Sequence, residues 1–373
     1  MKGYIFSILG VIGMGVVAGC GTSQVTPVTT RPIVPIRPTA PRFSSTLASG
    51  VPWRSVRPLN AITAKGPIAW AGGANVIYST SSGGRRWKRL YQGRRRITQL
   101  DVLDRYTGWA LGPAHLSEYT RGQWTPRSEP QGSHLTALTF LTANVGYGVA
   151  GSHLFRTVDT GRHWHIMHTP RGFIEAFTAL SHGVLGLVIQ GRLWTTHDSG
   201  RTWSRSESRL PIAPSRPWHF TLQYAAQAWW VSVTQITAHT KEQPYAVFRS
   251  STAALPWQEI ANNPTAAPSA YPIVRNSRRK LPPIQLAAFV VNGPANLAVL
   301  VGKGSQGTVL VAESPAVGTP HFTTTCLGGP NVPRTALHLA VTKQEQWLVG
   351  ASRRHGRLLI TTDLGSRWHP VAP

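Results

Sequence analysis

A chain of 373 residues is longer than one hydrophobic core fills, unless it is assembled from repeats or closed as a barrel. Its 41% hydrophobic content is enough for a packed interior, while two cysteines exclude a disulfide framework. Charged residues are sparse at 14% and lopsided, with 38 Lys and Arg against 13 Asp and Glu, and the formal net charge of +25 leaves the molecule strongly cationic.

The first element is a targeting segment, set aside from fold reasoning. Lys2 precedes an apolar stretch, Tyr4 to Ala18, that falls short of the roughly 20 residues needed to cross hydrocarbon. It ends in Val17-Ala18-Gly19-Cys20, which resembles a bacterial lipobox with Val where Leu is commonest. The resemblance implies a signal peptide over residues 1–19 and a lipid on Cys20. The protein would then be exported and anchored to the outer face of the cell membrane. An uncleaved signal anchor with an incidental Cys is the alternative. Residues 20–50, rich in Pro, Thr, Ser and Arg, lack periodicity, and repeated Pro holds such a segment extended. They are expected to be a disordered tether, followed by one folded region over 51–373.

Self-similarity dominates that region. Leu154 to Trp164, Leu193 to Trp203 and Leu359 to Trp368 share the pattern Thr-x-Asp-x-Gly-x-x-Trp, carried by Thr157, Asp159, Gly161 and Trp164, by Thr196, Asp198, Gly200 and Trp203, and by Thr361, Asp363, Gly365 and Trp368. A fourth copy keeps Thr80, Gly84 and Trp87 but has Ser82 in place of Asp, and degenerate copies end at Trp124 and Trp257. Each reads as a β-hairpin. The Asp carboxylate accepts from turn amides, Gly takes a positive-φ position, and Trp packs under the returning strand. Trp87, Trp124, Trp164 and Trp203 lie 37, 40 and 39 residues apart, a spacing that suits four short strands. After Trp203 the intervals are 54 and 111 residues, and Val309–Ser314 with Phe322–Thr325 supplies a missing unit. Units start near Leu59, Ile97, Leu135, Phe173, Pro217, Ile284 and Leu337. Glycine-bounded runs such as Thr107–Gly112 and Val145–Gly151 are expected as inner strands, with small residues where units converge on an axis.

These hairpins resemble the Asp-box, or bacterial neuraminidase, repeat. Joined to the glycine-bounded runs, they look like the propellers of the photosystem II assembly and stability factor family, and of sortilin and sialidase type. The resemblance implies an all-β chain, a β-propeller of four-stranded blades, and the seven unit starts imply seven blades. Residues Val51 to Val56 would add only an edge strand to it.

Chemistry is hard to place. Retaining glycosidases need carboxyl groups about 5 Å apart and inverting ones about 6.5–9.5 Å. Asp159, Asp198 and Asp363 belong to turns. Asp101, on an alternating strand, is the best remaining acid, yet it has no obvious partner and reads as solvent-facing or paired with a nearby Arg. No catalytic residue is assigned. His163 and His165 would share a strand face, but His163 occupies a variable slot of the turn, and no metal or cofactor is expected. The basic runs, Arg85-Arg86, Lys88-Arg89, Arg94-Arg95-Arg96 and Arg278-Arg279-Lys280, lack a nucleic-acid recognition motif. In an exported chain they suit an envelope protein or an anionic envelope polymer, or else mark a surface that shed carboxylates for an acidic medium. The expected function is a membrane-anchored extracytoplasmic binding or assembly scaffold of the cell envelope. The alternative is a secreted propeller-type glycoside hydrolase or a glycan-binding protein.

Overall fold

The computed structural model describes residues 59–181, 183–210, 218–225, 227–235, 245–251 and 257–263, and beyond them the backbone of eight strands between 285 and 371. All of these fall within one unit, Ser45–Pro373. The signal segment, Cys20, the tether and Val51–Val56 lie outside the described residues.

Seven antiparallel sheets follow one another among the described residues. The first holds β1 (Leu59–Lys65), β2 (Ile68–Thr80) and β3 (Lys88–Arg96). The second runs β4 (Gln99–Val102), β5 (Thr107–Gly112), β6 (His115–Thr120) and β7 (Gln123–Arg127). The third runs β8 (Ala137–Phe140), β9 (Gly146–Ala150), β10 (His153–Thr157) and β11 (His165–Ile166). The fourth runs β12 (Ile174–Ser181), β13 (Val184–Ile189), β14 (Arg192–Thr196) and β15 (Ser204–Arg205). The fifth runs β16 (Trp218–Ala225), β17 (Ala228–Gln235), β18 (Tyr245–Ser250) and β19 (Gln258–Asn263). The sixth comprises β20 (Gln285–Asn292), β21 (Leu297–Lys303), β22 (Thr308–Glu313) and β23 (His321–Cys326). The last comprises β24 (Leu337–Val341), β25 (Trp347–Ala351), β26 (Leu358–Thr361) and β27 (His369–Val371). The first strands begin within two residues of the unit starts expected from the repeats.

Strand order in every sheet is simple succession, because the turns are too short for anything but a return alongside. Arg121 and Gly122, at φ 49° and 98°, join β6 to β7 as a two-residue turn with both central residues left-handed, the geometry that matches strand twist. β2 is a hairpin in itself. Its residues 68–73 pair with β1 and 74–79 with β3, and a Cβ on Gly72 would lie 3.3 Å from the Val76 carbonyl oxygen. Four residues of straight strand would separate those positions by about 13 Å. The first sheet therefore also has four runs of chain.

The first strands meet around a ring. β1 touches β4, β4 touches β8, β12 touches β16, β16 touches β20, β20 touches β24, and β24 returns to β1, while the third and fourth sheets join through β9 and β12. Apolar residues gather in the seams rather than in one core. Trp70, Ile77, Leu100 and Tyr119 fill the first seam, Trp109, Leu116, Leu138 and Phe155 the second, Tyr147, Leu154, Leu185 and Leu187 the third, and Val188, Leu222, Trp229 and Val231 the fourth.

One expectation is corrected. The glycine-bounded runs are the second strands, and the alternating runs before them are innermost. Their glycines make room across seams, not at the axis. A Cβ on Gly108 would sit 2.5 Å from Cη2 of Trp70, and one on Gly186 would sit 2.3 Å from Cζ3 of Trp229. A large ring of one sheet occupies the space of the missing side chain on an adjacent sheet.

Candidate functional site

The turn residues act together. The Thr157 hydroxyl is fully buried, donates to Asp159 Oδ1 at 2.8 Å, and accepts the amides of Asp159 at 3.3 Å and Gly161 at 3.0 Å. Asp159 Oδ1 also accepts the His163 amide at 2.9 Å, and Oδ2 faces His163 Nδ1 at 2.5 Å. Thr196, Asp198, Gly200 and Thr202 repeat the arrangement, with 2.7 Å from Thr196 Oγ1 to Asp198 Oδ1 and 2.9 Å from the Gly200 amide to Thr196 Oγ1. In the copy with Ser82, the Gly84 amide still reaches Thr80 Oγ1 at 3.1 Å, and the Arg86 amide reaches Ser82 Oγ at 2.9 Å. Gly161 and Gly200 sit at φ 84° and 83°, where a side chain would be strained. Thr361 ends β26, while Asp363, Gly365 and Trp368 lie outside the described residues.

Partial burial tends to raise the Asp159 carboxyl, but the His163 amide and ring and the Thr157 hydroxyl outweigh it and hold the group well below the usual range. At Asp198 the Thr202 hydroxyl and amide, with the Thr196 hydroxyl, do the same. Thr157→Val keeps the shape and strands the buried Gly161 amide and the part-buried Asp159 amide, so urea denaturation is expected to show a loss of about 1–3 kcal/mol. An unchanged midpoint would refute the hydroxyl's role.

The tryptophans of these hairpins do more than pack beneath them. Trp124 Nε1 donates to the Leu90 carbonyl at 3.3 Å, Trp164 to Ser128 at 2.9 Å, and Trp203 to His168 at 3.0 Å. Each acceptor lies on the outermost strand of the preceding sheet, or follows it closely, so each indole ties its sheet to the one before. Trp87 instead bonds within its own turn, to Gly84.

At the inner strands, Gln99 and Asp101 share one face of β4 and reach to the neighbouring first strand. Gln99 Nε2 donates to the Leu138 carbonyl at 2.7 Å, its Oε1 accepts the Leu138 amide at 3.0 Å, and Asp101 Oδ2 accepts the Phe140 amide at 2.5 Å. Asp101 is thus not the free surface acid or arginine partner expected from the sequence, but a side-chain rung between two sheets. Burial pushes its carboxyl up to about 6, against the downward pull of the Phe140 amide, the Lys65 charge and the Val102 amide. Glu175 accepts the Gly191 amide at 2.9 Å and is raised by burial as well. Glu118, deep in β6, is held by Arg127 and accepts the Thr120 hydroxyl at 2.5 Å. The signal for Gln99 was the polar alternation with Asp101; nothing local marked its role.

Among the described side chains there are eight acids: Asp101, Asp104, Glu118, Glu129, Asp159, Glu175, Asp198 and Glu207. All but Glu207 accept a hydrogen bond inside the fold. The cations are distributed differently. β3 exposes Lys88, Arg89, Arg94, Arg95 and Arg96, a run that also guards the outer edge of its sheet against pairing with another strand. His163 lies in a turn and His165 begins β11, so the two do not share a strand face. No group of three metal-binding side chains converges among the described residues, and no helix of the described residues is long and apolar enough to cross a membrane.

No family model matches the sequence, and no curated protein is found similar to it. Solved structures do match in shape. The WD40 repeats of RRP9 superpose with a TM-score of 0.50 at 10% identity, over 80% of this chain and 89% of that one. WD40 blades are four-stranded sheets set around a ring. The fold is a β-propeller. An ancestral GH74 enzyme superposes with a TM-score of 0.57 at 10% identity, over 84% of this chain, which spans 46% of the enzyme. Hsv2 of Kluyveromyces lactis gives a TM-score of 0.50 at 10% identity, covering 84% of this propeller and 97% of Hsv2. At such identities the likeness extends to the fold alone.

Proposed function

We propose that this propeller is a lipid-anchored scaffold working outside the cytoplasm, which docks an acidic protein or anionic polymer of the cell envelope. The observation that carries the reading is the division of charge. Seven of the eight described acids are spent on internal hydrogen bonds, while the cations of β3 are exposed along the outer strand of their sheet. Such a face attracts anions over about a Debye length, near 8 Å at physiological salt. The lipobox-like Val17–Cys20 and the tether supply the address.

Cross-linking in intact cells, followed by capture of the full chain from detergent-solubilised envelope, is expected to return an acidic partner. The triple substitution Lys88→Gln, Arg89→Gln, Arg96→Gln should lose it. Absence of any reproducible partner, or capture indifferent to the triple substitution, would refute the docking role.

A second reading, glycoside hydrolysis, is favoured by Asp101 alone. A carboxyl that keeps its proton to about pH 6 on an inner strand has the property of a general acid. Turnover of a cell-wall or plant glycan that disappears in Asp101→Asn would support it. Screening without turnover would leave the scaffold reading.

A further inference from the structure

In each of the first four sheets, the turn between the third and fourth runs of chain is tied to the turn between the first and second. The Gly83 amide donates to the Pro67 carbonyl at 2.8 Å, Arg121 to Tyr106 at 3.0 Å, Thr160 to Asn144 at 3.1 Å and Ser199 to Gly183 at 3.0 Å. Every donor is left-handed, at φ 63°, 49°, 65° and 61°. The two turns of a sheet are thus fixed to each other at one end of its strands. β4 and β8 also run in the same sense, since Gln99 meets Leu138 while Asp101 meets Phe140. Around a propeller, these ends form one face.

That face is cationic. Arg85, Arg162 and Arg201 follow a left-handed glycine in three of the turns, Arg121 stands in the fourth, and all four are exposed. Arg105 adds a guanidinium 4.5 Å over the Tyr106 ring. The acids of the same turns, Asp104, Asp159 and Asp198, are engaged by the amides of Tyr106, His163 and Thr202. Bare apolar surface collects there too. Of the five large hydrophobic side chains exposed among the described residues, three lie in or beside turns of this face: Tyr106 between β4 and β5, Val158 between β10 and β11, and Tyr224 near the end of β16. Charge alone would suit any polyanion. Tyrosine and valine set among arginines suit the boundary of a bilayer, where a phenol sits at headgroup level and guanidinium meets phosphate.

We infer that this face docks onto the surface of an anionic lipid bilayer. The turn arginines meet headgroup phosphates, while Tyr106 and Val158 enter the interfacial layer between them. The contact is made by folded turns, so it goes beyond both the lipid anchor and the docking edge of β3 and rests on neither. The opposite end of the strands, where β3 finishes at Arg96, then faces away from the lipid.

The test is arginine footprinting with phenylglyoxal, read by mass spectrometry, on the full chain reconstituted with vesicles of phosphatidylcholine alone or mixed equally with phosphatidylglycerol. Modification of Arg121, Arg162 and Arg201 is expected to slow about tenfold on the anionic vesicles and to recover at high salt, while Arg95, near the far end of β3, keeps its rate on both. Tyr106→Ser with Val158→Ser, at two exposed turn positions, should leave the melting temperature unaltered and lose most of the protection. Equal rates on the two kinds of vesicle, or slowing at Arg95 as large as at the turns, would overturn the docking. Inorganic polyphosphate that protects the turn arginines on neutral vesicles as well as anionic lipid does, or lipid protection undiminished in the double variant, would make the face a polyanion platform and overturn the bilayer. The triple variant at Lys88, Arg89 and Arg96 retains every turn arginine, so partner capture and this docking can fail separately.

Discussion

Trp70→Ala is expected to lower the unfolding free energy by about 3–5 kcal/mol, the range for deleting a fully buried large aromatic. Trp70 is wholly covered, meets Tyr119 edge-on at 5.4 Å and Trp124 at 5.8 Å, and rests on Gly108 of the second sheet. The void opens between two sheets that have already adapted their backbone to the ring, so little can collapse into it. The reverse experiment probes the same contact: a methyl added by Gly108→Ala would sit 2.5 Å from Trp70 Cη2 and 2.6 Å from the Asp101 carbonyl oxygen. One neighbour is a rigid indole and the other is backbone, so overpacking should cost about 1–3 kcal/mol or more. Guanidinium denaturation of both variants checks the pair. Losses below about 1 kcal/mol in Trp70→Ala would mean that the seam is not where the stability lies.

Asp101→Asn is expected to stabilise the protein at pH 7, by about 2 kcal/mol. The carboxyl is raised to about 6 in the fold against 3.8 when unfolded, and each pKa unit is worth about 1.4 kcal/mol, discounted here because the residue's surface is not fully covered. Because the folded value is raised, the folded state binds more protons between the two values. The Asp101 contribution is therefore most favourable below pH 4 and is lost as pH rises through about 6. An amide oxygen still accepts the Phe140 N–H, without the charge. Glu175, also raised, shares this sign, whereas Asp159 and Asp198, held low, weaken the fold only in stronger acid. The difference between wild type and Asp101→Asn, followed by thermal unfolding from pH 4 to 7, isolates the one group. A difference that stays flat across that window, or an Asn variant that is less stable at pH 7, would refute the assignment. A carboxyl of this kind favours the fold in mildly acidic surroundings.

Much of this was legible in the sequence, and the reasons are local. The Thr–Asp–Gly turns announce themselves because each residue type meets a demand that few others meet: a buried hydroxyl, an acceptor for turn amides, a left-handed backbone. Unit starts could be placed because β4 and β8 alternate as strands must. The rest lies across the seams, where sequence carries little trace. The indoles of Trp124, Trp164 and Trp203 bond main-chain carbonyls, which leave no mark on residue identity. Gly108 and Gly186 were visible as glycines, but the rings that occupy their missing side chains come from neighbouring sheets. Asp101 stood out as an acid on a strand, while its partner, the Phe140 amide, lies 39 residues away.

The backward reach of the hairpin indoles bears on how the ring is made. A chain exported N-terminal end first presents each of these tryptophans after the carbonyl it needs, which lies some 34 to 36 residues earlier. A newly emerged sheet can therefore latch onto a finished surface before its successor exists. Only the junction of β1 with β24 must wait for nearly the whole polypeptide, and that closure is the step at which vectorial growth ends and cooperativity around the circle begins.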